Sequence, residues 1–219
     1  MHDRMSCPPD CGWCCTHLVK PREPERAAAE RDFLDELATH GVYRCRDLPH
    51  TGLSLTNAEA ASLRAVAEQR GVRADIHPRT FLIETRRRWT VVVDWHLAHA
   101  SCPFYADFKC TVYEQRPLPC RAFPVLGAAP AWVLGPECPR VEERAWERVD
   151  VTRGSFFRAE AKARRALDKA SAAFDEAFSL TARKEFRFAE GLEAVDAARR
   201  ARRYRAVPME DLVRVPGTS

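Results

Sequence analysis

Apolar residues recur at three- and four-residue intervals over three stretches of the chain, a fourth also looks helical, and one stretch is rich in β-branched and aromatic residues, so the pattern predicts helices joined by a single hairpin. Between Glu25 and His40, the positions Ala28, Phe33, Leu34, Leu37 and Ala38 mark an amphipathic helix that Gly41 ends. From Leu53 to Gly71 the helical pattern is sharper. Thr56 and Glu59 have the spacing of a capping box, and Leu63, Val66 and Ala67 form the buried stripe. Thr80 to Glu84 and Trp89 to Trp95 are rich in β-branched and aromatic residues, and Arg86, Arg87 and Arg88 between them suit a hairpin turn. A loop at Gly127 to Pro130 and a short strand at Trp132 to Leu134 follow. Phe156, Ala159, Ala163, Ala166, Ala170, Phe174 and Ala177 then predict a helix of six turns. A second C-terminal helical segment, Arg183 to Arg205, is interrupted by Gly191 but not ended by it. The expected fold is therefore mainly α with a small β-hairpin.

Two stretches follow neither period, and both are rich in cysteine and proline. Residues 1 to 15 hold Cys7, Cys11, Cys14 and Cys15 among Pro8, Pro9 and Gly12; residues 102 to 124 hold Cys102, Cys110 and Cys120 among prolines and aromatics, and Cys138 comes later. The chain has 219 residues, enough to bury a core without disulfides. No apolar leader follows Met1 and no apolar run approaches the roughly 18 residues of a membrane span, so a reducing, cytoplasmic setting without membrane contact is expected. In that setting nine cysteines point to metal ligands before structural disulfides. The predicted architecture is an irregular cysteine-ligated metal core in residues 1–140, with a helical C-terminal extension in residues 141–219.

Charge adds a second candidate surface. Residues 1–150 carry 20 Lys and Arg against 21 Asp and Glu, whereas residues 151–219 carry 15 against 10, so the excess sits at the C-terminal end. It is densest at Arg199, Arg200, Arg202, Arg203 and Arg205. Such a run can meet nucleic acid or an acidic partner, and it also suits a solvated helix end, where cations complement the dipole.

Thiolate sulfur selects zinc, copper(I), iron or iron–sulfur clusters over magnesium and calcium. A gap of two residues lets Cys11 and Cys14 face one ion. Cys14 and Cys15 are adjacent, and in an extended segment neighbours point to opposite sides, so both can bind together only across a sharp local bend or on more than one metal. Cys7, Cys11, Cys14, Cys15, Cys102, Cys110, Cys120 and Cys138 match the arithmetic of two four-sulfur sites. Their negative charge calls for nearby cations, for which Arg116 and Arg121 beside Cys120 are candidates, with ion pairs to Glu114 or Asp107 as the alternative. Cys45 stands alone and reads as a small buried hydrophobe. His17, His96 and His99 lie near the clusters and read as partly exposed polar residues, with ligation or proton transfer as the alternative. No phosphate loop, Ser-His-Asp signature or His-Glu-x-x-His is present, which leaves standard hydrolytic chemistry without support.

The segments CGWCC at 11–15 and CPFYADFKCTVYEQRPLPCRAFP at 102–124, with Cys138, resemble the CxxCxxCC (YkgJ-type) cysteine-cluster family, described as zinc- or iron-chelating. The likeness runs over residues 7–140 and includes LSLTNAEA at 53–60, between the two cysteine groups. Tyr113, Glu114, Arg116, Pro117, Cys120 and Arg121 fall where the family pattern has them. Cys7 stands four positions before Cys11, where the family's usual gap is three, and a bulge at Pro8-Pro9-Asp10 would absorb the extra residue. The resemblance implies bound zinc or iron. A further likeness of the motif to that of flagellin lysine N-methylases implies an iron–sulfur cluster as the alternative. Three functions follow: a metal-binding protein with thiolate ligands from two distant segments, an iron–sulfur-cluster enzyme, or a zinc-organised module that presents the basic helix to nucleic acid or a partner.

Overall fold

The computed structural model describes residues 12–16, 24–45, 53–99, 101–126, 133–134, 138, 158–171 and 173–213. In chain order they form α1 (Trp13–Thr16), α2 (Pro24–Thr39), β1 (Val42–Arg44), β2 (Leu53–Leu55), α3 (Asn57–Arg70), β3 (Ile76–Glu84) and β4 (Trp89–Leu97). Then come β5 (Tyr105–Ala106), β6 (Lys109–Cys110), a 3-10 turn (Tyr113–Gln115), α4 (Leu118–Ala122), β7 (Val125–Leu126) and β8 (Val133–Leu134). The last elements are α5 (Arg158–Ser171), α6 (Ala173–Thr181), α7 (Ala194–Arg203), β9 (Arg205–Pro208) and α8 (Met209–Val213).

The centre is the β3–β4 hairpin, which its β-branched and aromatic content predicts, but both strands run to nine residues. They are joined across Thr85–Arg88, where Arg88 takes a left-handed φ of 56°. Strand β1 pairs with β3, and the free edge of β4 is divided between two short strands. Leu53–Leu55 of β2 pair antiparallel with Leu97–Trp95, while Arg205–Pro208 of β9 run parallel to Trp89–Val92. The result is a five-stranded sheet, antiparallel except at β9.

Both faces of this sheet are covered, which explains why β3 and β4 read as nearly continuous apolar runs. On one face Leu34 and Leu37 of α2, Ala177 and Leu180 of α6, and Met209 and Leu212 of α8 pack on Leu82, Val91 and Val93. On the other, Ala60, Leu63, Val66 and Ala67 of α3 pack on Val92, Trp95 and Leu97, with Phe104 and Val112 in the same cluster. Ala197 of α7 completes that face against Tyr43, Phe81 and Ile83. Burying each large side chain here contributes about 1.5–3 kcal/mol.

The expectation of a mainly α fold with a small hairpin is thus corrected: the scaffold is a five-stranded mixed sheet between helices. Three-residue strands such as β1 and β2 are too short to carry a period of two, and their pairing is decided by the partner strand. Leu53–Leu55, expected as the start of a helix, form β2 instead. The six-turn C-terminal helix is two helices, α5 and α6; Ala177 of the predicted stripe is fully buried in α6, but in α5 the fully buried Ala161 lies off the stripe while Ala159 and Ala166 are exposed. Only residues 194–203 of the second segment are helical. Gly191 adopts φ 61°, and the preceding chain lies along the hairpin end, with Thr85 N–H donating to Arg187 O at 2.9 Å and Ala189 N–H to Ile83 O at 2.9 Å. The loop expected at 127–130 and the residue Trp132 lie outside the described residues.

One buried carboxylate ties this edge together. Glu84 is 0% exposed, accepts hydrogen bonds from the amides of Arg87 and Arg187, and stands 3.8 Å from the Arg87 guanidinium. Replacing Glu84 by Ala removes the acceptor of two part-buried amides, and the expected cost is about 1–2 kcal/mol. Urea unfolding checks this: the midpoint falls while the slope stays constant.

Candidate metal centre

Cys14 and Cys15 sit on a single helical turn. In α1, Cys15 N–H and Thr16 N–H both donate to Gly12 O at 2.9 Å, and the Thr16 hydroxyl adds a third bond at 3.0 Å. Successive side chains on a helix diverge by about 100°, not 180°, so Cys14 and Cys15 can address one centre. This is the local bend that their adjacency requires.

The second group is delivered by β4. Beyond Leu97 the chain reaches Cys102, whose amide donates to Cys15 O at 2.6 Å, so the two cysteine groups are joined by main chain. The tight β5–β6 hairpin then pairs Tyr105 with Cys110. Its tip, Asp107 and Phe108, takes left-handed φ values of 48° and 59°, a conformation that costs a non-glycine residue about 1–2 kcal/mol. Two bonds to Phe104 O, from the Thr111 amide at 2.8 Å and the Thr111 hydroxyl at 2.9 Å, close the loop that returns Cys110 toward Cys102. Cys102 and Cys110 both pack against the α3 side of the sheet.

Glycine is required at position 12 by close approach. A Cβ there would lie 1.9 Å from the Tyr105 hydroxyl oxygen and 2.2 Å from its ring carbon. The ring of Tyr105 therefore seats on the bare backbone at the start of α1.

Cys14, Cys15, Cys102, Cys110 and Cys120 are reduced thiols, and they act on one another. The Cys15 thiol is hydrogen-bonded to both Cys102 and Cys14, which holds its own proton on and pushes its acidity far down. The same hydrogen bond lowers the Cys14 pKa to about 7 against the opposing effect of burial, with the Arg116 guanidinium assisting. Cys102 is lowered first by Cys15 and then by the amide of Phe104, two residues on. Cys110 is raised by burial, partly offset by the amide of Val112. Cys120 is raised most by burial and then by the negative charge of Cys14, Cys102 and Cys110. Backbone amides aimed at sulfur favour the thiolate, and thiolates crowded together favour a shared cation.

Arg116 supplies positive charge to this region, acting on Cys14, Cys110 and Cys120. It is fixed by a hydrogen bond from Nε to Tyr113 O at 3.0 Å and by stacking 3.6 Å from the centre of the Tyr113 ring. Arg121 is exposed. Of the histidines, His96 is 1% exposed and held neutral, its pKa lowered to about 4 by burial and then by His77 and Arg79. It belongs to the sheet, across from Ser54 and His77. His99 Nε2 accepts the Asp75 amide at 2.9 Å.

Five of the eight expected sulfur ligands thus share one neighbourhood. Cys138 is buried, and Cys7, Cys11 and His17 lie outside the described residues. Among the described residues no three His, Cys, Asp or Glu side chains already stand in a geometry that could hold an ion. The soft donor set, its amides and its guanidinium fit zinc or iron; the thiols are gathered without forming a closed cage.

One contributor escapes the reading from sequence. Glu59 makes the predicted capping box with Thr56, yet its second oxygen accepts the Leu118 amide of α4 at 2.5 Å. The capping-box spacing identifies Glu59 but gives no sign of this remote partner.

The matching family model, CxxCxxCC, is described as a "putative zinc- or iron-chelating domain" and covers residues 6–149. The chain belongs to this family. No curated protein and no solved structure matches it. Among the described residues no helix is long and apolar enough to cross a membrane.

If the Gly12–Tyr105 seat aligns the two cysteine groups, Gly12→Ala should displace α1 and speed hydrogen exchange at the Cys102 amide by about tenfold, an energy of about 1.4 kcal/mol. Adding Tyr105→Ala makes room for the methyl group and should restore part of the protection. Exchange mass spectrometry on the single and double variants reads both outcomes.

Proposed function

We propose that this member of the CxxCxxCC family binds zinc or iron through thiolates drawn from two distant segments: Cys7, Cys11, Cys14 and Cys15 from the first, and Cys102, Cys110, Cys120 and Cys138 from the second. The observation that carries the reading is the junction at Cys15. Its carbonyl accepts the Cys102 amide and its thiol bridges Cys14 and Cys102, so the backbone holds donors from both segments together. Bound metal would supply the positive charge that these crowded sulfurs lack, and deprotonated thiolates would be its ligands. The chain's own residues orient the sulfurs: Phe104 and Val112 through their amides, Arg116 through its charge.

A second reading, an iron–sulfur cluster, is favoured by number. Five thiols stand together where a tetrahedral ion takes four, and a multinuclear centre uses the surplus. Anaerobic purification followed by metal and acid-labile sulfide analysis separates the two. A colourless protein with zinc selects the first, stoichiometric sulfide with iron selects the second, and a protein free of both overturns the proposal.

Two further outcomes are expected. Cys120→Ser should lower metal content, whereas Cys45→Ser should leave it unchanged, because Cys45 follows β1, where its amide donates to Arg79 O at 2.8 Å. Metal analysis of the two purified variants decides this. Removal of metal under reducing conditions should loosen residues 12–16 and 101–126 and leave the sheet and its helices protected, since their cores contain no ligand beyond Cys102 and Cys110 at the margin. Hydrogen exchange that rises evenly over all elements would contradict it.

A further inference from the structure

Helix α4 carries Cys120, and its N-terminus lacks a cap of its own. Pro117 precedes it and offers no side-chain hydrogen bond, and Pro119 in the first turn has no amide to give. Leu118 N–H is an orphan donor of the kind that every helix start exposes. Its acceptor comes from another helix: Glu59 Oε1, at 2.5 Å. The other oxygen of the same carboxylate, Oε2, accepts the Thr56 amide at 2.9 Å and the Thr56 hydroxyl at 3.0 Å, while Thr56 Oγ1 accepts the Glu59 amide at 3.2 Å. One carboxylate therefore closes the first turn of α3 and holds the first turn of α4.

The consequence is geometric. Helix α3 is fixed to the sheet by Ala60, Leu63, Val66 and Ala67, so its first turn is a firm reference point. Cys120 lies two residues beyond Leu118, and no helical turn of its own length could define its direction without an anchor. We propose that Glu59 is a positioning residue of the metal centre: through Leu118 it sets where the Cys120 sulfur stands relative to Cys14, Cys102 and Cys110. This rests on the metal-binding reading above and deepens it.

Thr56→Ala and Glu59→Ala separate positioning from stability. Thr56→Ala removes the hydroxyl half of the capping box and Glu59→Ala the carboxylate half, but only the second removes the acceptor of Leu118. The zinc-loaded chain is challenged with excess chelator, and release is followed at temperatures equally far below each variant's own unfolding midpoint. Loss of a hydrogen bond to a charged group weakens the site enough to speed release by about tenfold or more in Glu59→Ala, while Thr56→Ala should stay within about twofold of the parent. Glu59→Gln, which can keep one acceptor, should fall between them and serves where Glu59→Ala does not fold. Substitution with cobalt(II) adds a second readout: the visible absorption should shift in Glu59→Ala and stay unchanged in Thr56→Ala.

Equal release rates and equal spectra for the two alanine variants would overturn the inference and leave the metal reading standing. If the parent chain takes up no metal, that reading fails by itself, and alkylation of Cys120 in the metal-free chain still decides the role of Glu59. Faster alkylation in Glu59→Ala alone supports positioning, and equal rates in both variants overturn it.

Discussion

The hydrogen-bonding capacity of strand β4 is the constraint on which the other elements depend. Its nine residues pair with β3 along one edge, and on the other they receive β2 at the C-terminal end and β9 at the N-terminal end. A central strand with an empty edge would leave buried amides and carbonyls without partners, each at a cost comparable to a lost hydrogen bond. Two short strands from residues 53–55 and 205–208 meet that need, and so bring segments about 150 positions apart to the same ladder. The exit of β4 then leads directly to Cys102.

From there the construction is a sequence of backbone restraints that bring sulfur near sulfur before any ion is considered. The Cys102 amide meets the Cys15 carbonyl, Tyr105 seats on Gly12, and the left-handed pair Asp107–Phe108 turns the chain back so that Cys110 lies across from Tyr105. Left-handed backbone at two successive non-glycine residues is unfavourable and persists only where its surroundings fix it. Here the Thr111 bonds to Phe104 do so, and Phe104 itself is a buried member of the α3 cluster. Strain at the hairpin tip is thus offset by burial in the main core.

The sequence made the hairpin, α2, α3 and the short strand at Val133–Leu134 legible and left three other short strands hidden. Helix α3 announces itself by Thr56, Glu59 and a stripe at Leu63, Val66 and Ala67, because cap and packing face are both local. The hairpin is equally plain. Strands β1, β2 and β9 are not, since three or four residues cannot display a period and their state is decided by which edge is vacant. The alanine-rich stretch misled for a related reason: alanine favours helix at every position, so its spacing says little about where one helix ends, and the buried face of α5 turns on Ala161. In the site, Cys14 and Cys15 lie in a helical turn, whereas His96, read as partly exposed, proves to be buried in the sheet.

Glu59 marks the boundary between what is local and what is not. As a capping residue it needs only Thr56, three positions away, and any chain with that spacing would satisfy the rule. Its bond to Leu118 spans 59 positions and exists because β2 and the start of α3 lie beside α4. A carboxylate has two oxygens, and helix capping uses one. The second is free to hold another element, so a residue whose sequence context accounts for it fully can still carry a long-range role. That role follows from the orphan amide at the start of a five-residue helix, which needs an acceptor and cannot find one in Pro117 or Pro119. The scaffold and the cysteine region therefore communicate through at least two kinds of contact, the apolar packing of Phe104 and Val112 and the charged bond from Glu59, and the second is the more directional.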